Sequence, residues 1–442
     1  MTRGLMKSTS CFAIAAAAGL FATSAMAADL GVGGNCCADL EERVAELEAT
    51  AARKGNRKVS LTVYGQVNKE LLWHDDDAGY REGKLTVRDN GGNQSRFGFR
   101  GEAQIRPDLK AGYVIEIGLG GEDFGVTSDD AFAIRHNYVY LDDARLGRIS
   151  LGQTSQVTDG LFFIDLSNAS SIVTPQEMDE AANVLSGAFA NTFTGDSFDG
   201  FRRQGVYYRS PTLAGFVLGL GWSHDTQADK TAPYDPNDAN EYWEAALRYA
   251  GEFNGVRLAA GIGYRKEEAN VSGADKEIWM GSASVMHTPT GLFLSGGYAD
   301  RDSDDADLRR DAYWLRGGIE KNFFGIGNTT LFAEYGAVDV DRKKAGGIWV
   351  KEERRGHRDR YEFDRDPHAD VLDGSYWGLG IVQNIEAAAT DLYITFRRYE
   401  LDGGVSTTYK LFDRCSQEWC TGTATAHDRD ASVINAGMLI RF

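Results

Sequence analysis

From residue 59 to its last residue the chain is written in steps of two, and that period fixes what it can become. The final run, 431–442, places Ile434, Ala436, Met438, Ile440 and Phe442 on one face and Val433, Asn435, Gly437, Leu439 and Arg441 on the other. Side chains of a strand alternate between its two faces, so such a run can meet lipid on one side and water on the other. The pattern recurs. Phe97, Phe99, Ala103 and Ile105 oppose Arg96, Arg100, Glu102, Gln104 and Arg106, and Tyr113, Ile115 and Ile117 follow on the next run. Later come Phe216, Leu218, Leu220 and Trp222, then Leu258, Ile262 and Tyr264, then Leu392, Ile394 and Phe396. Each run has about ten residues, the length that crosses a bilayer as a tilted strand, and the tally is about sixteen, an even count of the kind expected of single-chain bacterial barrels. The expected fold is all-β, a transmembrane antiparallel β-barrel of about 16 strands with a short N-terminal helical segment. The aromatic carboxy terminus fits its closing strand.

The other end agrees with export. Residues 1–27 carry Arg3 and Lys7, then an apolar stretch from Cys11 to Ala22, then Ala25-Met26-Ala27 as a small-x-small cleavage site, the layout of a secretory signal. The formal charge of −18 loses two cations with that leader and becomes −20. Such acidity argues against nucleic acid as a partner, because phosphate binding needs a basic face. Glycine is plentiful (52) and proline scarce (7), as long paired strands demand. Residues 28–58 form a periplasmic lead in which Leu40, Val44, Leu47 and Ala51 draw a heptad seam. It is shorter than two heptads, so a polar helical spacer and a small oligomerising stalk both fit it. Residues 59–442 are assigned to the barrel.

Connections between the runs are unequal. Some are tight, such as Arg106-Pro107-Asp108 and the turn 288–291; others are long and polar, at 75–93, 225–240, 300–311, 341–370 and 402–430. Short turns at one end and long loops at the other is the layout of an outer-membrane barrel. One connection, 153–201, stands apart at about fifty residues, far beyond an ordinary loop. No Lys or Arg occurs between Arg148 and Arg202, yet the segment holds Asp159, Asp165, Glu177, Asp179 and Glu180, along with Asp196 and Asp199. It also holds the apolar stretches 161–164 and 181–185, so it is expected to fold inward and pack on the barrel wall. Arginines fall on the expected lumen faces around it: Arg96, Arg100, Arg135, Arg148, Arg203 and Arg209. Acid on the loop opposite an arginine wall sets a transverse field across a narrow wet passage, which favours small polar solutes. The alternative reading has the arginines merely pinning the loop, and both hold together. From the acidic loop and the net charge, a mild cation preference is expected.

Other residues carry less. Cys415 and Cys420 flank four residues in an oxidising compartment and are candidates for a loop disulfide, a metal pair being the weaker reading. The state of Cys36 and Cys37 stays open, since adjacent cysteines bridge each other only with strain. Seven histidines show no ligand spacing, and no Ser-His-Asp constellation stands out, so neither a metal, a cofactor nor an enzymatic activity is expected. The acid-rich stretch 300–305 lacks the glycine and terminal Glu of a calcium loop. The mixed-charge stretch 351–365 reads as an exposed loop touching lipopolysaccharide phosphates.

Three motifs resemble those of a known family. SRFGFRGE (95–102) with DLKAG (108–112) is similar to the second hairpin of Gram-negative general diffusion porins. LGRISLGQ (146–153) is similar to the strand feeding their constriction loop, and GVYYRSPTLAGF (205–216) to the strand pair after it. The chain resembles most the alphaproteobacterial porins, some of which carry a short helical lead. The resemblance implies a sixteen-stranded barrel, usually a homotrimer, whose third external loop enters the pore, embedded among outer-membrane lipids and lipopolysaccharide. Segment 153–201 lacks the Pro-Glu-Phe-Gly-Gly type signature of the enterobacterial members, so no individual eyelet acid is carried over. The expected function is passive diffusion of small hydrophilic solutes and ions through the outer membrane. A solute-specific pore for a sugar or small acid, and an envelope-tethering barrel, are the alternatives.

Overall fold

The computed structural model describes residues 58–76, 84–119, 132–173, 198–225, 240–269, 275–303, 308–342, 350–353, 360–363, 373–402, 406–413, 418–425 and 429–442. The leader, the heptad seam, Cys36, Cys37 and Cys415 lie outside them, and so do Glu177, Asp179 and Glu180. The wall begins with β1 (Thr62–Asp76), β2 (Lys84–Asp89), β3 (Arg96–Arg106), β4 (Leu109–Leu119), β5 (Phe132–Asp143) and β6 (Gly147–Ser155). It continues through β7 (Arg202–Arg209), β8 (Phe216–His224), β9 (Glu241–Phe253), β10 (Val256–Glu268), β11 (Lys276–His287) and β12 (Leu292–Ser303). Next come β13 (Leu308–Lys321) and β14 (Thr329–Arg342), then the two-stranded hairpin of β15 (Val350–Glu353) and β16 (Arg360–Phe363). The wall resumes with β17 (Asp373–Ile385) and β18 (Thr390–Asp402). A second separate hairpin, β19 (Ser406–Asp413) with β20 (Glu418–Thr425), precedes the last strand, β21 (Arg429–Arg441).

Every wall strand pairs antiparallel with its neighbours, and β1 pairs with β21 from Gln66↔Arg441 to Asp76↔Ala431, so the sheet closes on itself. Closure joins the first and last staves, so neither end of the sheet is left as an open edge, the condition for crossing lipid with strands. Segments β2 and β3 both pair with β1 and together make one interrupted stave, which gives a closed sixteen-stranded barrel. No helix among the described residues is long and apolar enough to cross a membrane.

The two faces of each stave separate as the period-two pattern demands. On β11, Ile278, Met280, Ser282, Ser284 and Met286 turn inward and are buried, whereas Trp279 and Val285 stay exposed outside. The outer belt continues with Leu71, Val87, Ile115, Ile262, Leu294, Ile381, Ile394, Met438 and Ile440. Outward aromatics pair across neighbouring staves toward the long-loop rim: Trp222 with Trp243 at 6.3 Å between ring centroids, Tyr264 with Trp279 at 4.8 Å, and Trp377 with Phe396 at 5.2 Å. Such a girdle belongs at a membrane–water interface. At the opposite rim Phe442 exchanges two backbone hydrogen bonds with Gly65, both 3.0 Å.

The structure departs from the sequence reading in four connections, and segment 300–311 is strand at both ends, β12 running to Ser303 and β13 starting at Leu308. Segment 75–93 is not all loop, because β2 forms within it and pairs with β1. Segments 341–370 and 402–430 likewise hold the hairpins β15–β16 and β19–β20. Inside the barrel the space is not empty. Leu161, Phe162, Val157 and Phe198 from the long connection share an apolar cluster with Ile278, Met280, Ala299, Trp314 and Tyr376 of the wall. Ala169, Ile172 and Val173 join Met286, Phe293, Phe332 and Val382 in a second one.

Candidate pore constriction

The described parts of the long connection after β6, residues 156–173 and 198–201, are seated against the inner wall by rungs on several staves. Thr158 comes first: its amide and hydroxyl donate to Glu244 of β9 at 3.0 and 2.8 Å. The Ile164 amide then donates to Ser282 Oγ of β11 and the Leu166 amide to Ser284 Oγ, each at 2.9 Å, while Ser282 Oγ donates to the Leu161 carbonyl at 2.6 Å. On β13 the Trp314 indole donates to the Phe162 carbonyl at 2.8 Å. The Asn168 amide reaches Glu320 at 2.6 Å, and its carboxamide reaches Asp391 of β18 at 3.0 Å. Glycines make room for this trough. A Cβ at Gly261 would lie 2.9 Å from Ile164 Cδ1, and one at Gly297 would lie 2.6 Å from the Phe162 carbonyl oxygen. Leu161, Phe162 and Ile172 are fully buried, each contributing roughly 1.5–3 kcal/mol through burial.

Two groups fix the charged part of this seat. Arg316 of β13 holds Asp165 at 3.0 Å and Glu334 of β14 at 2.6 Å, and donates to the Val173 carbonyl at 2.7 Å. Arg397 of β18 binds the other Glu334 oxygen at 2.6 Å. All four charged side chains are buried, and Arg316 also lies over the Phe332 ring at 4.7 Å. At the returning root, Asp199 accepts from the amides of Gly160, Leu161 and Phe162 at 2.5, 3.0 and 3.1 Å. Burial first, and the neighbouring Asp159 charge second, push the Asp199 carboxyl up to about 7.

Across the barrel stand the arginines. Register places Arg100 opposite Val114, on the same face of the sheet as Glu116, and sets Arg148 directly beside Arg209. Arg135 is the extra residue of a bulge where β5 passes Glu116 and Ile117. It holds Glu116 at 2.9 Å; Arg96 lies 3.9 Å from the same oxygen and His136 also 3.9 Å. Arg148 binds Asp142 at 2.6 Å and sits 4.2 Å from the Tyr140 ring centroid. Arg203 pairs with Asp225 and lies 3.8 Å over Tyr242. Among the described residues no carboxylate lies within ion-pair distance of Arg100, Arg209 or Arg202. Arg202 acts electrostatically on Arg96, Arg135 and His136, and Arg209 feels both Arg148 and Asp159.

The structure thus gathers all six arginines singled out in the sequence on staves β3, β5, β6 and β7. It sorts the two described loop acids. Asp159, partly exposed, faces the arginine wall electrostatically, whereas Asp165 is buried on Arg316. The other three candidate acids lie outside the described residues, as does Cys415; Cys420 falls on β20, in register with Leu411. Sequence reasoning missed Glu244, Ser282, Ser284, Arg316, Glu334 and Arg397. A signal existed for the last three, which are charged residues at inward steps of otherwise apolar strands. Nothing local marks the serines. Among the described residues no group of three His, Cys, Asp or Glu is placed to hold a metal.

A closed sixteen-stranded barrel with an apolar belt, an aromatic girdle and a loop pinned inside its lumen is a transmembrane channel of restricted bore. The chain belongs to the Gram-negative porin family, whose model matches residues 13–408. It is 27% identical over 296 residues to outer membrane porin protein 32 of Delftia acidovorans, covering 64% of this chain and 76% of that protein. Among solved structures it superposes on the anion-selective porin from Comamonas acidovorans with a TM-score of 0.56 at 18% identity, covering 87% of this chain and all of the other. OmpT of Vibrio cholerae gives 0.52 at 15% identity, covering 88% and 99%. The general-porin resemblance therefore holds, although the Delftia and Comamonas relatives are beta-proteobacterial rather than alphaproteobacterial. The protein is an outer-membrane porin, a channel for passive diffusion.

Proposed function

We propose that this porin passes small hydrophilic anions, inorganic ions and small carboxylates, in preference to cations, that it does no chemistry on them, and that it works as a homotrimer. The observation that carries the reading is the imbalance on the arginine wall. Arg96 and Arg135 share the single carboxylate of Glu116, and Arg100, Arg202 and Arg209 have none within ion-pair distance among the described residues. On the loop, Asp165 is neutralised by Arg316 and Asp199 is buried beneath backbone amides, so neither adds its charge to the passage. This departs from the cation preference that the net charge of −18 suggests. Net charge is summed over the whole chain, including long outer loops, while a permeating ion feels charges within a Debye length, about 8 Å at physiological salt. The trimer form recorded for Vibrio OmpT supports the assembly, and the name of the Comamonas relative carries the same selectivity.

Reconstitution into a planar bilayer under a KCl gradient tests the reading. Stepwise conductance with an anion-selective reversal potential is expected, weakening toward 1 M salt as screening shortens to about 3 Å. Arg209→Glu should shift the potential toward cation selectivity. A native channel that prefers cations would refute the anion reading, and the absence of steps would refute the channel.

A further inference from the structure

The stave built from β2 and β3 is broken, and the break is an insertion. Lys69 is opposite Asp89, and three residues further back Gln66 is opposite Arg96. Two residues of β1, Val67 and Asn68, therefore face six residues, Asn90, Gly91, Gly92, Asn93, Gln94 and Ser95. The surplus is four, an even number, so Arg88 and Arg96 stay on the same face of the wall on either side of it. A bulge normally adds one residue.

The insertion is held from inside the lumen. Asn68 and Glu70 are buried inward residues of β1. Asn90 donates to Glu70 at 2.9 Å and to the Tyr393 hydroxyl of β18 at 3.3 Å, a residue reached only across the barrel interior past β21. Gln66 donates to Asn93 Oδ1 at 2.7 Å and to the Gln94 carbonyl at 3.0 Å, and Asn68 donates to the Asn93 carbonyl at 3.0 Å. The Ser95 amide is fixed on Asp89 at 2.7 Å. The insertion ends on the arginine wall: Arg96 donates to Asn93 Oδ1 at 2.9 Å, and Arg135 donates to Gln94 Oε1 at 3.2 Å.

We propose that residues 90–95 are a second constriction of the pore, built into the wall rather than into the loop, and that Asn93 and Gln94 are positioning residues for the permeating anion. Their chemistry suits the task. A carboxamide oxygen accepts from a guanidinium and fixes its direction as a carboxylate does, but brings no negative charge. Arg96 and Arg135 are thereby aimed without being neutralised beyond their shared Glu116. The positioning part rests on the anion reading above; the constriction part does not.

Single-channel recording separates the two. Deleting residues 91–94 restores continuous register between β1 and the broken stave without turning any side chain to the other face. That barrel, checked for folding by heat-modifiable mobility, is expected to conduct about 1.5-fold more than the native channel, because pore width sets ion flux. Unchanged conductance overturns the second constriction. Should the deleted barrel fail to fold, Asn93→Cys serves instead. Modification by a bulky charged thiol reagent is expected to lower its current and to leave the native channel, with its own cysteines, unaffected; an unmodified current overturns the constriction equally. Asn93→Asp with Gln94→Glu keeps shape and adds charge, and is expected to lower the anion-to-cation permeability ratio several-fold at near-native conductance. A native ratio in that variant overturns the positioning role. A cation-selective native channel would sink the positioning role along with the anion reading, while the conductance of the deletion still decides the constriction.

Discussion

Arg316 is fully buried and satisfies three acceptors at once: Asp165, Glu334 and the Val173 carbonyl. One planar guanidinium can do this because its five donors fan out in a fixed fork. Arg316→Met leaves buried Asp165 on the Ser167 and Ser295 hydroxyls without its cation, and leaves Glu334 to Arg397. Removing one partner of a buried ionic network typically costs about 3–5 kcal/mol, and here the cost falls on the attachment of the loop. The loop has no Lys or Arg between Arg148 and Arg202, so trypsin cannot report its release, but chymotrypsin can, at Phe162 and Phe163. Rapid cleavage there in Arg316→Met, a lower temperature of barrel unfolding in detergent and an intermediate result for Arg316→Lys are expected. Native resistance in Arg316→Met would show that the serine rungs and apolar contacts suffice by themselves.

At the scale of elements, the loop and the wall recognise each other through short side chains. Ser282 and Ser284 stand at successive inward steps of β11 and meet the Ile164 and Leu166 amides, themselves two residues apart; the loop is laid down in the period of the strand beneath it. The returning root adds a pH dependence. A free aspartate gives up its proton near pH 4, whereas seated Asp199 keeps it to about 7. The native state holds the extra proton across that window, so the seat weakens as pH rises through it and is lost no further above it. Current noise from loop motion is therefore expected to rise between pH 5 and pH 8 and to stay flat over that range in Asp199→Asn. Equal noise at both pH values in the native channel would remove Asp199 from this role. These elements were unequally legible. Staves such as β8 and β21 announce themselves because lipid and lumen impose opposite polarities on alternate residues. The inward seating of the described residues 156–173 and 198–201 follows the acid and apolar stretches that the segment shows in sequence. The short strand β2 was not, because it sits among Asp, Gly and Asn residues that read as turn, and only its long-range pairing with β1 makes it a strand. Nor was the anchoring of Asp165, since a partner 151 residues away leaves no local trace.

At the scale of the whole molecule, the barrel exists only once its first and last strands meet. That junction is the β1–β21 ladder, and its final rung is Phe442 on Gly65, with hydrogen bonds of 3.0 Å in both directions. The Phe442 ring lies over Gly65 so closely that a Cβ there would stand 2.6 Å from Phe442 Cζ and 2.7 Å from the Arg96 carbonyl oxygen. The two obstacles differ in kind. An exposed ring can swing aside, but the Arg96 carbonyl belongs to β3 and is held by the sheet. Substituting Gly65 by Val should therefore harm closure more than Phe442→Ala, which keeps the backbone rung and loses only the ring and its interfacial anchorage. Deleting Phe442 removes the rung as well and should fall between them or match the glycine variant. The readout is the fraction of refolded protein that runs as the compact, heat-modifiable species, expected to fall several-fold for Gly65→Val and modestly for Phe442→Ala. The reverse order would mean that the terminal ring, and not the fit of the first stave against its neighbours, limits closure.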